Sequence, residues 1–367
     1  MSVSITGQSV YSGSVFYYDT YNVKSYVGEP TTNLALFDAA SWFSTDTPAN
    51  VTQSVDTSVT YNGRSSLRIT ANTGYWNIYR NGTVYYTQTS STTFTLSWKM
   101  KRADGAAPVI NGGYIYTVAI STYPSVTVSS IDNGWYQCYC SYSSTNSTLS
   151  LTGFNATQLG VFYIADWQVE TTTHYTPYIF GTRSVTQGLL DLTRRNTIDL
   201  TDMSYTSNAS PTFDGVNDYI NTNVPVQTLT NGTIEAWVYD TKNNSGYRAI
   251  VQFNVNTDDA LYIYPSNVLG FWPCAASSLA VPSNTWVHVA VAYNGSQLLY
   301  SVNGVTQEIS TTCADFTDLQ YVKIGGHGTA DGERWQGNIT EVKVYNRALS
   351  RDEILKNYNR TKSRYGR

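Results

Sequence analysis

Residues 285–293 read Thr-Trp-Val-His-Val-Ala-Val-Ala-Tyr and are followed at once by Asn294-Gly295, a pattern that leaves the surrounding chain little choice of fold. Side chains of a strand alternate between its two faces. Trp286, His288, Ala290 and Ala292 therefore share one face, and Val287, Val289, Val291 and Tyr293 share the other. Neither face carries a charged carboxylate, lysine or arginine, so the pattern predicts a central strand between two layers. Asn-Gly supplies the positive φ of a tight turn, Leu298 to Val302 begins a return strand, and Asn303-Gly304 turns the chain again, which predicts an antiparallel meander. Further on, Ser350 with Glu353 three residues later forms a capping box. It predicts one short helix from about Arg351 to Tyr358, with Ile354, Leu355 and Tyr358 packed back onto the strands.

Composition extends the all-β expectation to the rest of the chain. Charged residues make up only 13% of the 367 positions, whereas Tyr, Ser, Thr, Asn and Gly are abundant, which favours pleated strands and side-chain-bonded turns over solvated helices. The length suggests two domains. A formal net charge of −4 offers no basic surface for a phosphate backbone, so nucleic acid is not an expected partner. No apolar stretch is long enough to span a bilayer, and the opening MSVSITGQSVYSG lacks the features of a signal peptide; the expectation is a protein made in the cytoplasm without membrane insertion. In that setting Cys274 and Cys313 are expected to be free thiols, although they could pair in an oxidising medium. Cys138 and Cys140, two apart on an expected strand, read as small buried hydrophobes.

Four segments in the last third, FDGVNDYI (213–220), GTIEAWVY (232–239), NTWVHVAVAYNG (284–295) and GNITEVKVYNRALSRDEILKNYN (337–359), together resemble the laminin-G-like, concanavalin-A-like lectin sandwich in the form found in phage virion proteins. The resemblance runs from about Gln187 to Tyr358 and implies a binding or scaffolding module. The first half alternates strands with turn clusters. In its segment 93–101, Phe94, Leu96, Trp98 and Met100 face one way and Thr93, Thr95, Ser97, Lys99 and Lys101 the other. The order of SVTYNGRSSLRIT, TTFTLSWKMKR, NGWYQCYCSYS and GVFYIADWQVE resembles carbohydrate-binding-module-like jelly rolls, and ADWQVETTTHYTPYIFGTRS resembles the close of such domains in phage tail and fibre proteins. The expected division is an extended arm over 1–32, a first sandwich over 33–180, and a lectin-like sandwich with its linker over 181–367, in which GLLDLT (188–193) and TIDLTD (197–202) are short edge strands. The Tyr-rich arm has two readings: a docking arm for a neighbouring subunit, or an extra edge strand on the first sandwich.

Chemistry-bearing constellations are sparse. His174, His288 and His327 show no zinc-ligand spacing. His288 alternates with valines and reads as a packed core residue, and Asp258-Asp259 and Asp331-Gly332-Glu333 sit in turn-like segments, so no catalytic residues are assigned and the chain is expected not to be an enzyme. Asn254, Asn256, Asp258 and Asp259 offer hard oxygen ligands, with calcium as the candidate ion. For a sugar, the candidates are Tyr247 and Trp272 as stacking platforms and His327, Asp331 and Arg334 on a Gly-rich loop. Trp335 reads as core, and Asp214 and Asp218 as turn-fixing groups. The reading implied by the resemblance is a structural protein of a tailed-phage particle (fibre, tail appendage or capsid-decorating subunit), homo-oligomeric among other virion proteins, with host-surface glycan as candidate ligand. Its rivals are a decoration or cement protein that binds no glycan, and the accessory region of a secreted adhesin or polysaccharide-active enzyme.

Overall fold

The computed structural model describes residues 12–34, 49–72, 74–87, 91–117, 120–122, 124–144, 148–205, 211–224, 227–228, 231–242, 246–253, 259–313, 318–319, 322–326 and 333–367. It is an all-β protein with one short C-terminal helix, divided into two compact units: Thr31–Arg183 with Thr206–Asn208, and Met1–Pro30 with Ser184–Tyr205 and Ala209–Arg367.

In the unit built on Thr31–Arg183, a six-stranded antiparallel sheet runs in the order Val51–Tyr61, Arg64–Ala71, Gly160–Glu170, Thr92–Arg102, Trp135–Ser144, Thr127–Ser130. A four-stranded sheet has the order Trp76–Thr87, Thr148–Ala156, Gly112–Thr117, Ile120–Thr122. Phe94, Leu96, Trp98 and Met100 are all fully buried, as their alternation requires. Trp98 lies parallel to Phe154 at 5.0 Å between ring centroids and tilted against Trp167 at 5.3 Å. Cys138 and Cys140 enter this core as free thiols. Burial pushes both thiols up, Cys140 to about 12, so neither is a nucleophile at neutral pH. Gly113 is required here: a Cβ on it would stand 2.4 Å from Cys140 Sγ.

The other unit is a sandwich of two seven-stranded sheets. One has the order Ser14–Asp19, Gln336–Tyr345, Gly232–Asp240, Trp286–Tyr293, Gln297–Val302, Val305–Ser310, with Phe213–Asp214 also paired to Gln336–Tyr345. The second has the order Ile198–Asp199, Ile220–Thr222, Lys323–Ile324, Arg248–Gln252, Ala260–Ile263, Val268–Trp272, Ala275–Ala280. The meander forms as its Asn-Gly turns predict, with Gly295 at φ 96° and Gly304 at φ 82°. Val287, Val289, Val291 and Tyr293 join the core between the sheets. Ala290 and Ala292 pack instead with Leu349 and Ile354, on the outer face that the helix covers. That helix spans Arg351–Thr361, three residues beyond expectation, and its capping box is complete: Glu353 N donates to Ser350 Oγ (3.3 Å) and Ser350 N to Glu353 Oε2 (2.9 Å). Asp214 Oδ1 accepts from the amides of Val216, Asn217 and Asp218, while Asp218 accepts from Asp214 N and Ser204 N, so both carboxylates fix the turn.

Three expectations are corrected. Of the segment 1–32, read as a docking arm or as an edge strand of the first sandwich, the described part holds Ser14–Asp19 as the edge strand beside Gln336–Tyr345, while Thr31–Thr32 pair with Thr182–Arg183; residues 1–11 lie outside the described residues. A register shift between Ser14 and Phe16 brings Val15 as well as Phe16 and Tyr18 into the lectin-like core, and Tyr18 OH donates to Ile339 O (2.9 Å). Residues 188–193 form no strand: Leu189 makes only an isolated bridge to Tyr26, because the loop closes on Asp191 instead, whereas Ile198–Asp199 does pair with Ile220–Thr222. Finally, Cys274 and Cys313 are bonded, their Cα atoms 5.4 Å apart, because the turn after Trp272 and the chain leaving Val305–Ser310 meet at one edge of the sandwich. Among the described residues no helix is long and apolar enough to cross a membrane.

Candidate functional site

The outer face of the second sheet carries an aromatic cleft. Its floor follows from small residues in register: Ala260 stands opposite Trp272, Tyr262 opposite Gly270, and Ala249 opposite Tyr262. Gly270 is small for a reason, since a Cβ there would lie 2.3 Å from the ring of Tyr264. Tyr247, Tyr262, Trp272 and Glu333 line a cavity of about 120 Å3 over this floor. Tyr247 meets Tyr262, Tyr264 and Trp272 edge-on at centroid distances of 5.8, 5.0 and 6.3 Å, the geometry that aromatic quadrupoles favour. Trp272 is 41% exposed, whereas Tyr262 is only 2% exposed and donates its hydroxyl to Glu333 Oε2 at 2.8 Å.

Buried polar groups hold these walls in place. Arg248 and Asp240 form an ion pair at 2.9 Å with both side chains almost fully buried. The same guanidinium donates to Gly246 O (2.9 Å) and to Asn267 Oδ1 (2.6 Å), so one side chain ties the segment before Tyr247 to the hairpin turn after Tyr264. Burial raises the Asp240 carboxyl above the usual carboxylate range and lowers the Arg248 guanidinium. Behind Trp272, Tyr300 reaches across the sandwich: its hydroxyl accepts from Phe271 N (3.1 Å) and donates to Ala275 O (2.5 Å). The Cys274–Cys313 bond pins the following turn. The exposed indole therefore projects from a fixed frame. An aromatic pair beside a single carboxylate offers an apolar wall for the C–H face of a pyranose and an acceptor for its hydroxyls.

Of the residues singled out from the sequence, the fold brings Tyr247 and Trp272 together. Arg334 is not part of the cleft wall; its guanidinium lies over the Tyr219 ring at 4.9 Å, while its carbonyl accepts from Lys242 Nζ (3.1 Å). Trp335 is fully buried. His327 and Asp331 lie outside the described residues, as do Asn254, Asn256 and Asp258 of the calcium candidates. Asp259 is buried and its carbonyl accepts from Phe253 N (2.8 Å). Among the described residues no group of three or more His, Cys, Asp or Glu side chains is gathered as a metal site would require. Tyr262 was not singled out for the site, and Glu333 stood out only as a member of the Gly-rich loop from His327 to Arg334. The signal for Tyr262 was its place between Leu261 and Ile263, which sends it to the outer face above Gly270.

A second polar assembly lies under the helix. Glu235, Glu341, Lys343 and Asp19 are all buried on the outer face of the first sheet. Lys343 pairs with Glu341 and sits over the Tyr17 ring at 5.1 Å, and Arg364 pairs with Asp19 at 2.8 Å. His288 is wedged between Trp237 (5.3 Å) and Tyr358 (5.8 Å). Burial, with Lys343 adding to it, pushes the imidazole down to about 3, so it is neutral at any physiological pH.

Among solved structures, the chain is similar to domain 4 of an extracellular arabinanase from Geobacillus stearothermophilus, solved with arabinotriose, at 15% identity, over 48% of this chain and 93% of that one, with a TM-score of 0.36. A carbohydrate-binding module of a Ruminococcus gnavus sialidase bound to sialyllactose matches at 19% identity over 35% and 82% of the two chains, with a TM-score of 0.30. The binding domain of botulinum neurotoxin serotype D matches at 13% over 49% and 50%, with a TM-score of 0.38, so the chain spans about half of that domain. Comparison with curated proteins gives no match. Residues 214–355 match the laminin-G model of the concanavalin A-like lectin/glucanases superfamily, and the C-terminal half of the chain is thus similar to the lectin-like domains of that superfamily.

Proposed function

We propose that this protein binds glycan through the Tyr247–Tyr262–Trp272–Glu333 cleft and acts as a binding protein, not an enzyme, with the surface of a tailed-phage particle as its setting. The observation that carries the glycan reading is the half-exposed Trp272 standing at an angle to Tyr247 above a floor of alanine and glycine, beside one carboxylate. An indole held at the rim of a cleft by a fixed frame is placed to stack on the C–H face of a sugar, with Glu333 within reach of its hydroxyls. The cleft is shallow and buries little area, so affinity per site is low and attachment relies on many copies acting together, as a repeated virion protein provides. The virion setting is supported by the sequence resemblance of EVKVYNRALSRDEI and of the Trp167 to Ser184 segment to phage modules.

The test is a glycan array probed with the full chain displayed multivalently, next to Trp272→Ala. Binding that disappears in a variant of unchanged melting temperature supports the cleft. A folded, multivalent protein that binds no glycan favours the decoration role, in which the sandwiches contact only other particle subunits.

A further inference from the structure

A larger cavity, of about 430 Å3, lies elsewhere on the same unit, lined by Ser14, Tyr17, Asn22, Leu192, Thr193 and Arg195. One wall is the N-terminal edge strand and its turn, and the other is the loop 191–196. The loop is fixed from within. Asp191 is 4% exposed, and its two carboxylate oxygens accept from the amides of Tyr17 (3.0 Å), Thr193 (3.0 Å), Arg195 (3.3 Å) and Asn196 (3.1 Å), from Thr193 Oγ1 (2.6 Å) and from Asn196 Nδ2 (2.7 Å). That carboxylate is saturated, and it holds loop to strand. The loop then turns out Arg194, at φ 60°, and Arg195, both exposed, and neither guanidinium has a hydrogen bond or ion pair with any described residue. Of the carboxylates on the neighbouring strands, Asp19, 3.5 Å from Tyr17 OH, is paired with Arg364, and Glu341 is paired with Lys343.

A cavity of ligand size, with an uncommitted guanidinium in its wall and its neighbouring carboxylates already engaged, suits an anion that also offers hydroxyls and an apolar ring face. The geometry points to a second saccharide site, one that takes a pyranose bearing a carboxylate or a sulfate. Arg195 receives the acidic group in a two-pronged contact, and Tyr17, Ser14, Asn22 and Thr193 supply polar partners for the ring hydroxyls. The inference rests on the glycan reading above for its ligand class, but it uses none of the aromatic cleft.

The experiment is titration calorimetry of the full chain with four probes: the methyl glycoside of glucuronic acid, methyl glucoside 6-sulfate, neutral methyl glucoside, and sodium sulfate. The expected result is that an acidic glycoside binds about tenfold more tightly than the neutral one and weakens steadily as salt rises from about 0.05 to about 0.5 M. Arg195→Ala abolishes the difference, while Arg195→Lys retains part of it, and Arg351→Ala, an exposed arginine elsewhere, leaves it intact. The ratio between the carboxylated and sulfated arms identifies the source of the charge. Sodium sulfate binding as tightly as the glycosides, equal binding of acidic and neutral sugars, or an unchanged isotherm in a folded Arg195→Ala protein each overturns the inference. Trp272→Ala separates the two readings: it removes binding at the aromatic cleft and spares the acidic isotherm, and loss of both would place the acidic sugar in that cleft and sink the second site.

Discussion

Asn357 Nδ2 donates a 2.7 Å hydrogen bond to Glu235 Oε2 across 122 residues of sequence, joining the C-terminal helix to the middle strand of the sheet it covers. Tyr345 OH donates to the same oxygen at 3.2 Å, and Trp237 Nε1 donates to Thr361 Oγ1 at 2.8 Å, so the helix is fastened by polar side chains as well as by Ile354. Among the described residues Glu235 Oε1 has no hydrogen-bond partner. Burial pushes this carboxyl up from 4.5 to about 7, against the opposing pull of Lys343 and Asn357.

The first prediction follows from that carboxyl. A raised carboxyl keeps its proton in the native state to about pH 7 while the unfolded chain loses it near pH 4.5, so Glu235 withdraws stability as pH rises through this window, by about 3 kcal/mol at most. His288 works in the opposite sense. Its native imidazole stays neutral down to about pH 3 while the unfolded one takes a proton below about 6.5, so it withdraws stability as pH falls. Between about pH 4.5 and 6.5 the two oppose each other. Glu235→Gln keeps the hydrogen bonds and removes the titration, leaving the histidine slope unopposed: the difference in melting temperature between variant and wild type should grow steadily from pH 4.5 to 7. A difference that stays flat across that range refutes the assignment.

Reduction of Cys274–Cys313 is the second. The bond closes a loop of 39 residues' separation, for which chain entropy gives about 4 kcal/mol as an upper figure. Reductant, or Cys313→Ser, should lower the unfolding midpoint by the equivalent of about 2–4 kcal/mol. Because the bonded turn begins two residues after Trp272, glycan binding should weaken at temperatures where the sandwich is still folded. Unchanged binding would show that Tyr300 alone suffices to fix the turn.

Removal of residues 1–20 is the third. Phe16 and Tyr18 are fully buried against Val344 and Val342 of the neighbouring strand. Their loss exposes a sheet edge and removes two large core side chains, each worth about 3–5 kcal/mol. Denaturant unfolding should show the lectin-like unit destabilised or lost, with the unit built on Thr31–Arg183 still folded. A truncated protein of full stability would show that this strand contributes nothing to the core.

Local pattern carried most of the architecture. The alternation in 285–293 placed each valine and alanine on its true face, and Ser350 with Glu353 marked the helix start, because these signals need only near neighbours. What stayed hidden depends on distant partners. SVFYYD reads as a polar aromatic arm until Val342 and Val344 lie beside it, more than three hundred residues on in the chain. The cleft was half legible: Tyr247 and Trp272 stood out as aromatics near turns, but Glu333 joins them only through Tyr262 OH, a contact that spans 71 residues. Arg195 gave no signal at all, since its meaning comes from the saturation of Asp191 by groups on two separate segments.

The last prediction contrasts two tryptophans of the same unit. Trp335 is fully buried, its amide donating to Gly325 O at 2.9 Å, and its ring belongs to the core between the sheets. Trp335→Ala should cost about 3–5 kcal/mol, as truncating a core aromatic does, and any loss of binding would follow from unfolding. Trp272 is 41% exposed, and its ring meets Tyr247 edge-on at 6.3 Å. Trp272→Ala should therefore cost less than about 1 kcal/mol, comparable to one edge-to-face pair, while removing the stacking wall of the cleft. Thermal melting with multivalent glycan binding on both variants decides the matter. If Trp272→Ala melts as early as Trp335→Ala, the indole is a structural prop, and the aromatic cleft loses its claim to be the binding site.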